Sequence, residues 1–246
     1  MTQVLITRPL ESSQLLAEQL DALGINSIII PMYTFSPRDP ELDMKSAWSA
    51  PARRRLAVFT SPRAVQFGLP HIPKNQLNGL EYAVIGSATR ATLESSGCPV
   101  HLQADNGYRS EDLLQIPELA SEPGEVVIFC APGGRETLSI GLAELGWDVA
   151  KAKVYERVPL AAKPEQIVAL SAAEDLLSVW TSISALKIAE EHLPGALWLK
   201  ILNAPALVIS VRIQHHLQQL GATRVELSDG PGNADLLQSI LGWTEQ

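Results

Sequence analysis

Two stretches of the sequence place a threonine and a serine directly after an apolar run. Thr60 and Ser61 follow "RLAVF", and Thr181 and Ser182 follow "LLSVW", 121 positions further along the chain. A hydroxyl at the end of a buried strand can cap the helix that begins there, and the free N–H groups of that helix can bind an anion. The two pairs therefore indicate either helix caps alone or parts of a site for a polar ligand.

A third strand end has the same character. Gly86, Ser87 and Thr89 follow the apolar run "YAVI". Glycine there would let the backbone approach a ligand closely, and the two hydroxyls come next. Ligands of open parallel sheets bind beyond the carboxyl ends of the strands. The collection of such ends therefore favours a cleft for a polar ligand over a set of unrelated caps.

Short apolar runs alternate with helical patterns along the whole chain. The first helical pattern, "ESSQLLAEQLDALG", predicts Leu15, Leu16, Leu20 and Leu23 on one face and an end at Gly24. Near-continuous apolar strands alternating with amphipathic helices are typical of parallel sheets that are covered on both faces. The fold class is therefore α/β.

The chain also repeats itself once. Gly24 and Gly146 close corresponding helical patterns at an offset of 122 residues, and Tyr33 and Tyr155 share that offset. A period of this length is too long for a solenoid repeat. It predicts two similar α/β domains.

Composition excludes several classes of protein. The net charge of −8 argues against a nucleic-acid partner, which would need a basic face. Two cysteines in 246 residues exclude a disulfide scaffold and indicate free thiols in the cytoplasm. No stretch approaches the ~20 apolar residues of a membrane span, and the first residues do not resemble a signal peptide.

Motifs of common enzyme classes are missing from the sequence. There is no G-x-G-x-x-G after a strand, and the glycine-rich "APGGRETL" lacks the Lys-Ser ending of a P-loop. The five histidines are scattered without metal-ligand spacing, so we expect no metal site. A hydrolase or a metalloenzyme has no support.

One family matches these stretches in order and spacing. The set "LITRP", "FTSPRAV", "VIGSATRATL", "RSEDLL", "GGRETL", "VYERVP" and "WTSISAL" resembles the uroporphyrinogen-III synthase family over nearly the whole chain. The resemblance implies two flavodoxin-like parallel-sheet domains joined by a two-stranded connector. One domain would be discontinuous, residues 1–36 plus 160–246, and the other would be residues 38–155, with connectors near 33–38 and 155–160.

The resemblance also implies a reaction. The family cyclises the linear tetrapyrrole hydroxymethylbilane to uroporphyrinogen III, with loss of water and inversion of ring D through a spiro intermediate. It implies no metal or organic cofactor. The expected partner is this small-molecule substrate, with handover from the preceding pathway enzyme as one route of delivery, and we expect a monomer. Eight carboxylates on the substrate suit helix N-termini and backbone N–H donors better than a cage of lysines on an acidic protein.

Site residues follow from the resemblance position by position. Tyr155 matches a tyrosine proposed to assist the loss of the hydroxyl group. The residues expected to bind substrate are Arg8, Thr60, Ser61, Gly86, Ser87, Thr89, Arg135, Ser182, Ser210 and Arg212. The chain departs from the family after the run "ALVI", where "SVRI" places Arg212 and Ile213 at positions that often carry hydroxyls. Ser210 and Arg212 are expected to replace that contact.

A second class of protein accounts for the same residues. A two-domain protein that binds a small anion, or regulates through it, would use the same strand ends without any chemistry. The isomer of uroporphyrinogen that forms from hydroxymethylbilane in the presence of the protein separates the two hypotheses.

Overall fold

The computed structural model describes residues 2–44, 47–48, 53–104, 109–133 and 136–244. The chain forms two compact units. Unit 1 comprises Met1–Thr34 with Val158–Gln246, and unit 2 comprises Phe35–Arg157. Each unit contains a five-stranded parallel sheet with helices, which confirms the predicted α/β fold class.

The strands of the described chain are, in chain order, β1 (Gln3–Ile6), β2 (Ser27–Ile29), β3 (Tyr33–Pro37), β4 (Arg55–Phe59), β5 (Glu81–Val84), β6 (Leu102–Gln103), β7 (Glu125–Cys130), β8 (Asp148–Lys153), β9 (Tyr155–Pro159), β10 (Leu176–Trp180), β11 (Ala206–Val208) and β12 (Val225–Leu227). Strands β1, β4, β5, β7, β10 and β11 form at short apolar runs of the sequence, whereas β3, β8 and β9 carry polar or charged residues.

The helices connect these strands. In chain order they are α1 (Leu10–Asp21), α2 (Pro62–Gly68), α3 (Ser87–Ser95), α4 (Ser110–Leu114), α5 (Glu118–Ser121), α6 (Thr137–Glu144), α7 (Pro164–Ala172), α8 (Ile183–His192), α9 (Gly195–Asn203), α10 (Val211–Gln219) and α11 (Asn233–Thr244). Two short 3₁₀ turns follow α2, at Leu69–His71 and Lys74–Gln76.

The two parallel sheets have the same strand order once the chain is renumbered. In unit 1 the order is β2-β1-β10-β11-β12, which is the 2-1-3-4-5 order of flavodoxin-like folds. In unit 2 the order is β6-β5-β4-β7-β8. When β7 and β8 are numbered 1 and 2, and β4, β5 and β6 are numbered 3, 4 and 5, this is the same 2-1-3-4-5 order read from the other edge of the sheet. Strands β3 and β9, where the chain passes from one unit to the other, pair in a two-stranded sheet.

The strand register shows that residues at equivalent positions of the sequence repeat occupy equivalent positions in the two sheets. Ile6 pairs with Ile29 between β1 and β2, and 122 residues later Ile128 pairs with Lys151 between β7 and β8. Strands β1 and β2 nevertheless share a sheet with β10, β11 and β12, which come from the other half of the repeat. Each unit is therefore assembled from parts of both repeats.

Alternate side chains of a strand point to opposite faces of its sheet, and each set packs into its own buried cluster. In β4 of unit 2, Leu56 and Val58 pack in one buried cluster, while Ala57 and Phe59 pack in another. All four side chains are buried, because a parallel strand covered on both faces exposes neither set of alternate residues. Among the described residues, no helix is both long enough and apolar enough to cross a membrane.

The predicted apolar face of the first helix is partly wrong. Leu16 and Leu20 are fully buried, but Leu15 and Leu23 are more than half exposed. Leu15 precedes Leu16 and so lies about 100° around the helix, and Leu23 follows the last helical residue. The third buried residue of α1 is Ser13, whose hydroxyl donates to the Arg8 carbonyl at 2.7 Å.

Candidate functional site

Three of the predicted hydroxyls cap helices at the carboxyl ends of strands. Ser61 accepts the N–H of Ala64 at 3.1 Å in α2, and Ser182 accepts the N–H of Ala185 at 3.1 Å in α8. Ser210 accepts the N–H of Ile213 at 3.4 Å in α10. Each hydroxyl satisfies one of the amides that a helix leaves without a partner at its first turn.

Thr60 has a different role from its neighbour Ser61. Its hydroxyl donates to the carbonyl of Phe129 at 3.0 Å, and its backbone N–H donates to the same oxygen at 3.2 Å. These two hydrogen bonds from Thr60 join the end of β4 to the end of β7. This leaves Ser61 as the cap of α2.

Tyr155 is held beside the cap of α2. Its hydroxyl lies 2.9 Å from the Ser61 Oγ, within the ordinary range of an O–H···O hydrogen bond. The ring is only 5% exposed and packs edge-on against Phe35, with centroids 5.7 Å apart, and against Phe67 at 6.0 Å. Aromatic packing on two sides fixes where the phenol oxygen lies.

Unit 1 repeats this pair with a longer contact. The Tyr33 hydroxyl lies 3.4 Å from the Ser182 Oγ.

Arg8, at the end of β1, donates through Nη1 to the Asn233 side chain at 2.5 Å. Burial lowers the pKa of the Arg8 guanidinium, and the nearby Tyr33 opposes that shift. Because the Asn233 amide is uncharged, it does not neutralise the half-buried Arg8 guanidinium, whose charge stays available to an anionic ligand.

A cavity of about 420 Å³ lies within unit 2, at the carboxyl ends of β4, β5, β7 and β8. This is the edge at which ligands bind in open α/β sheets. Its lining combines hydroxyl, cationic and small apolar side chains. The lining residues are Thr60, Ile85, Arg109, Ser110, Ile128, Cys130, Ala131, Pro132, Gly133, Glu136, Leu138, Ser139, Lys151, Lys153, Tyr155 and Arg157.

The described lining carries more positive than negative charge. Four cations face one carboxylate, that of Glu136. Lys151 binds Glu136 directly, and this hydrogen bond holds the pKa of the Glu136 carboxyl below its ordinary value. The Lys153 Nζ lies 3.5 Å from Oε2 of Glu41, a residue outside the lining. The cavity therefore attracts anions even though the chain as a whole is acidic.

One thiol also lines the cavity. Burial raises the pKa of the Cys130 thiol, and the charges of Lys151 and Lys153 partly offset that rise. Cys130 pairs with Lys153 in the register between β7 and β8. A thiol in this position is mostly protonated at neutral pH and is a weak nucleophile there.

Sequence reasoning missed the cationic part of this lining. Lys151, Lys153, Tyr155 and Arg157 are alternate residues of one extended segment, so they project to the same side. The signal was present in "AKAKV", where Lys151 and Lys153 alternate with small apolar residues directly before Tyr155. Only Tyr155 was singled out, because the resemblance pointed to it. The expectation that helix N-termini and backbone N–H donors suit the substrate better than a cage of lysines stays a prediction, and the lining adds two lysines as candidate contacts.

The other predicted residues lie at several places. Gly86 caps α3 without a side-chain hydrogen bond, Ser87 is exposed and Thr89 is buried. These three residues follow Ile85, which lines the cavity. Arg212 is exposed in the first turn of α10 in unit 1. Arg135 lies outside the described residues.

Fold and site together define a class: an α/β protein of two flavodoxin-like units with polar residues at the carboxyl ends of its strands. A family model described as Uroporphyrinogen-III synthase HemD matches residues 14–238. The chain belongs to the uroporphyrinogen-III synthase family. The resemblance found in the sequence is thereby confirmed.

Curated relatives agree with the family. The uroporphyrinogen-III synthase of Escherichia coli K12 is 25% identical, over 96% of this chain and 99% of that protein. The enzyme of the same name from Chlorobaculum parvum is 28% identical, over 72% of each chain. Similarity to the first of these therefore extends over both units.

Solved structures share the fold. The uroporphyrinogen-III synthetase of Helicobacter pylori superposes with a TM-score of 0.68 at 19% identity, covering 99% of this chain and all of that one. A mutant uroporphyrinogen III synthase from Thermus thermophilus gives a TM-score of 0.63 at 17% identity, with both chains fully covered. At these identities the likeness shows the fold.

Proposed function

We propose that the chain is a uroporphyrinogen-III synthase that closes hydroxymethylbilane into uroporphyrinogen III, with loss of water and inversion of ring D. The observation that carries this proposal is the family match over residues 14–238, which spans nearly the whole chain. The enzyme is then a cyclising hydro-lyase, and its main burden is to fold a flexible tetrapyrrole so that the inverted closure outruns the direct one.

Tyr155 is the residue that we assign to the loss of the hydroxyl group. Its phenol lines the cavity of unit 2 and is held in place by two aromatic rings. A leaving hydroxyl departs as water when it gains a proton as the C–O bond breaks, and a phenol can donate that proton or the hydrogen bond that precedes its transfer. Departure leaves an azafulvene, which the far pyrrole attacks.

Ser61 supports this assignment through its position. Its oxygen already accepts the N–H of Ala64, so its own proton is available for another acceptor. When that proton is donated to the Tyr155 oxygen 2.9 Å away, the phenol proton is left to point at a ligand. Hydrogen bonds in such a chain strengthen one another, so Ser61 would make Tyr155 a better donor.

Backbone amides supply further anion contacts in this proposal. Gly86 is the N-cap of helix α3, and its lack of a side chain leaves the first-turn N–H groups without a side-chain cap. Nine residues of helix place the positive end of the dipole at the same point. Gly86, Ser87 and Thr89 are therefore proposed to hold a substrate carboxylate, as are Ser182, Ser210, Arg8 and Arg212 in unit 1.

The isomer of the product tests the proposal directly. Freshly made hydroxymethylbilane is incubated with the protein, the products are oxidised, and the uroporphyrin isomers are separated by chromatography. We expect isomer III in excess over the isomer I that forms spontaneously. A protein that only binds an anion would leave isomer I in place, and that result would overturn the proposal.

Two finer expectations belong to the same proposal. We propose that the enzyme acts as a monomer, and that it works in the cytoplasm, where its two unpaired cysteines would stay reduced. Sedimentation velocity with and without product tests the first. A stable dimer at assay concentrations would contradict it.

A further inference from the structure

The extended segment that carries Tyr155 also carries three of the four cations that line the cavity. Lys151 and Lys153 belong to β8, and Arg157 belongs to β9. All three side chains line the same cavity as the Tyr155 phenol. The segment therefore brings positive charge to the place where the proposed function puts the reacting end of the substrate.

The fold itself does not require these lysines. Ile128 pairs with Lys151 in unit 2, and the equivalent pair in unit 1 is Ile6 with Ile29. Pro31, two positions after Ile29, is the residue of unit 1 equivalent to Lys153, because it lies 122 residues before it. Because unit 1 forms the equivalent strand with apolar residues at and after its end, the lysines of unit 2 serve something other than strand formation.

The charges are arranged to receive a carboxylate. Lys151 already holds the carboxylate of Glu136, and the Ser139 hydroxyl donates to the same Glu136 oxygen at 3.1 Å. Glu136 is mostly exposed, so a substrate carboxylate can take its place at little cost, since exposed ion pairs contribute little. Lys153 and Arg157 extend the positive charge along the cavity wall.

The volume sets what part of the substrate fits. About 420 Å³ lies near the lower end of the 300–1,000 Å³ that small-molecule sites occupy. A tetrapyrrole with eight carboxylates, two on each ring, is larger than an ordinary small ligand. One ring with its two carboxylate arms matches both the volume and the pair of lysines.

We propose that Lys151 and Lys153, assisted by Arg157, bind the two carboxylate arms of one pyrrole ring of the substrate in the cavity of unit 2. Glu136 occupies the Lys151 site in the free protein and is displaced on binding. This inference rests on the proposed function and specifies how one ring is held beside Tyr155. It makes the lysines binding residues that act on affinity more than on the chemical step.

Opposite charge changes should shift the Michaelis constant in opposite directions. We expect Lys153→Met to raise KM by about 5- to 20-fold, with kcat falling by less than about threefold, since a charged hydrogen bond is lost from bound substrate. Lys153→Arg, which keeps the charge, should recover most of the loss. Glu136→Gln should lower KM by about two- to fivefold, because Lys151 is no longer occupied.

Salt and a matched control separate this effect from a general one. Lys74→Met removes one exposed positive charge from the same unit outside the cavity and should leave KM as it is. The KM of the unchanged protein should rise with ionic strength, and that of Lys153→Met should rise less. Melting temperature and circular dichroism check that each variant folds.

The outcomes distinguish the inference from the function on which it rests. If the unchanged protein forms isomer III but Lys153→Met keeps the original KM, the inference is wrong and the function stands. An equal rise in KM for Lys74→Met and Lys153→Met would also overturn it, because the effect would then be that of net charge. Formation of isomer I alone by the unchanged protein would overturn the function itself.

Titration with air-stable uroporphyrin III gives a readout that needs no turnover. We expect calorimetry to show weaker binding to Lys153→Met by about the same factor as the rise in KM. Equal affinity for both proteins would contradict the proposed carboxylate contact.

Discussion

The hydroxyl of Tyr155 lies 2.9 Å from the Ser61 Oγ, and the equivalent hydroxyl of Tyr33 lies 3.4 Å from the Ser182 Oγ. Both serines cap the helix that follows a central strand of their sheet. The repeat therefore reproduces a tyrosine–serine pair in each unit. The contact in unit 2 is the shorter of the two, and its tyrosine lines a cationic cavity.

Tyr155→Phe removes the hydroxyl and keeps the ring between Phe35 and Phe67. We expect turnover to fall by about 10- to 100-fold, the lower part of the range for general acid assistance, because the bilane loses water readily by itself. Isomer III should remain the main enzymatic product, since substrate folding decides the isomer. Steady-state kinetics with isomer analysis checks both points.

The symmetric variant Tyr33→Phe is the control for that experiment. It removes a hydroxyl from the longer contact in unit 1, and it should cost little activity. A loss equal to that of Tyr155→Phe would assign both effects to packing, and full activity in Tyr155→Phe would remove its chemical role.

Ser61→Ala and Ser182→Ala remove equivalent caps. Each should lower the free energy of unfolding by about 1 kcal/mol, as a lost N-cap does, and weaken binding of product by about 0.5–1.5 kcal/mol, as one lost hydrogen bond does. Ser61→Ala should in addition lower turnover, because Tyr155 loses its hydrogen-bond partner. Urea unfolding, product titration and kinetics measure these effects.

A double-mutant cycle between Ser61→Ala and Tyr155→Phe tests the coupling. We expect the double variant to be little slower than Tyr155→Phe alone, since residues in one hydrogen-bond chain are not additive. Fully additive losses would mean that the two hydroxyls act independently. If both serine variants lose stability and keep normal binding, the serines are caps and nothing more.

Gly124→Ala should destabilise unit 2 strongly. A Cβ there would lie 1.9 Å from the Arg54 carbonyl oxygen, and this backbone atom cannot move without disturbing the start of β4. We expect a loss of about 3 kcal/mol or more in urea unfolding, the upper end for overpacking. Gly242→Ala in α11 meets no atom within 4 Å and should be neutral or stabilising by up to about 1 kcal/mol. Equal stability of the two variants would contradict the close approach.

Cys130 should react slowly with iodoacetamide at neutral pH. Burial raises its thiol pKa, so the thiolate fraction is small at neutral pH and grows as the pH rises towards that value. Removing the two nearby positive charges in the double variant Lys151→Met/Lys153→Met should move the profile to still higher pH, because these charges favour the thiolate. Peptide mass spectrometry after timed alkylation measures the rate.

Bound product should protect Cys130 from the same reagent, because the thiol lines the cavity. Cys98 lies outside that lining and serves as an internal control in the same sample. Protection of neither cysteine by saturating product under anaerobic conditions would place the product elsewhere.

The parts of the fold that local patterns encode were predictable. Runs such as "RLAVF" place apolar side chains on both faces of a strand, as a buried parallel sheet requires. Because such runs alternate with helical patterns along the chain, few alternatives to an α/β fold remain. The caps at Ser61 and Ser182 were predictable for the same reason, since a cap involves residues only three apart. The face of α1 was harder to predict, because Leu15 and Leu16 are equally apolar and only packing selects Leu16.

The sequence by itself determined the α/β class, the twofold repeat and the family, because these depend on residue order and on local periodicity. Tertiary structure alone decided which side chains meet. Tyr155 reaches Ser61 across 94 positions, and β1 pairs with β10 from the other half of the repeat. The cavity likewise depends on strands brought side by side, because Thr60, Cys130 and Lys153 are distant along the chain and line the same small volume.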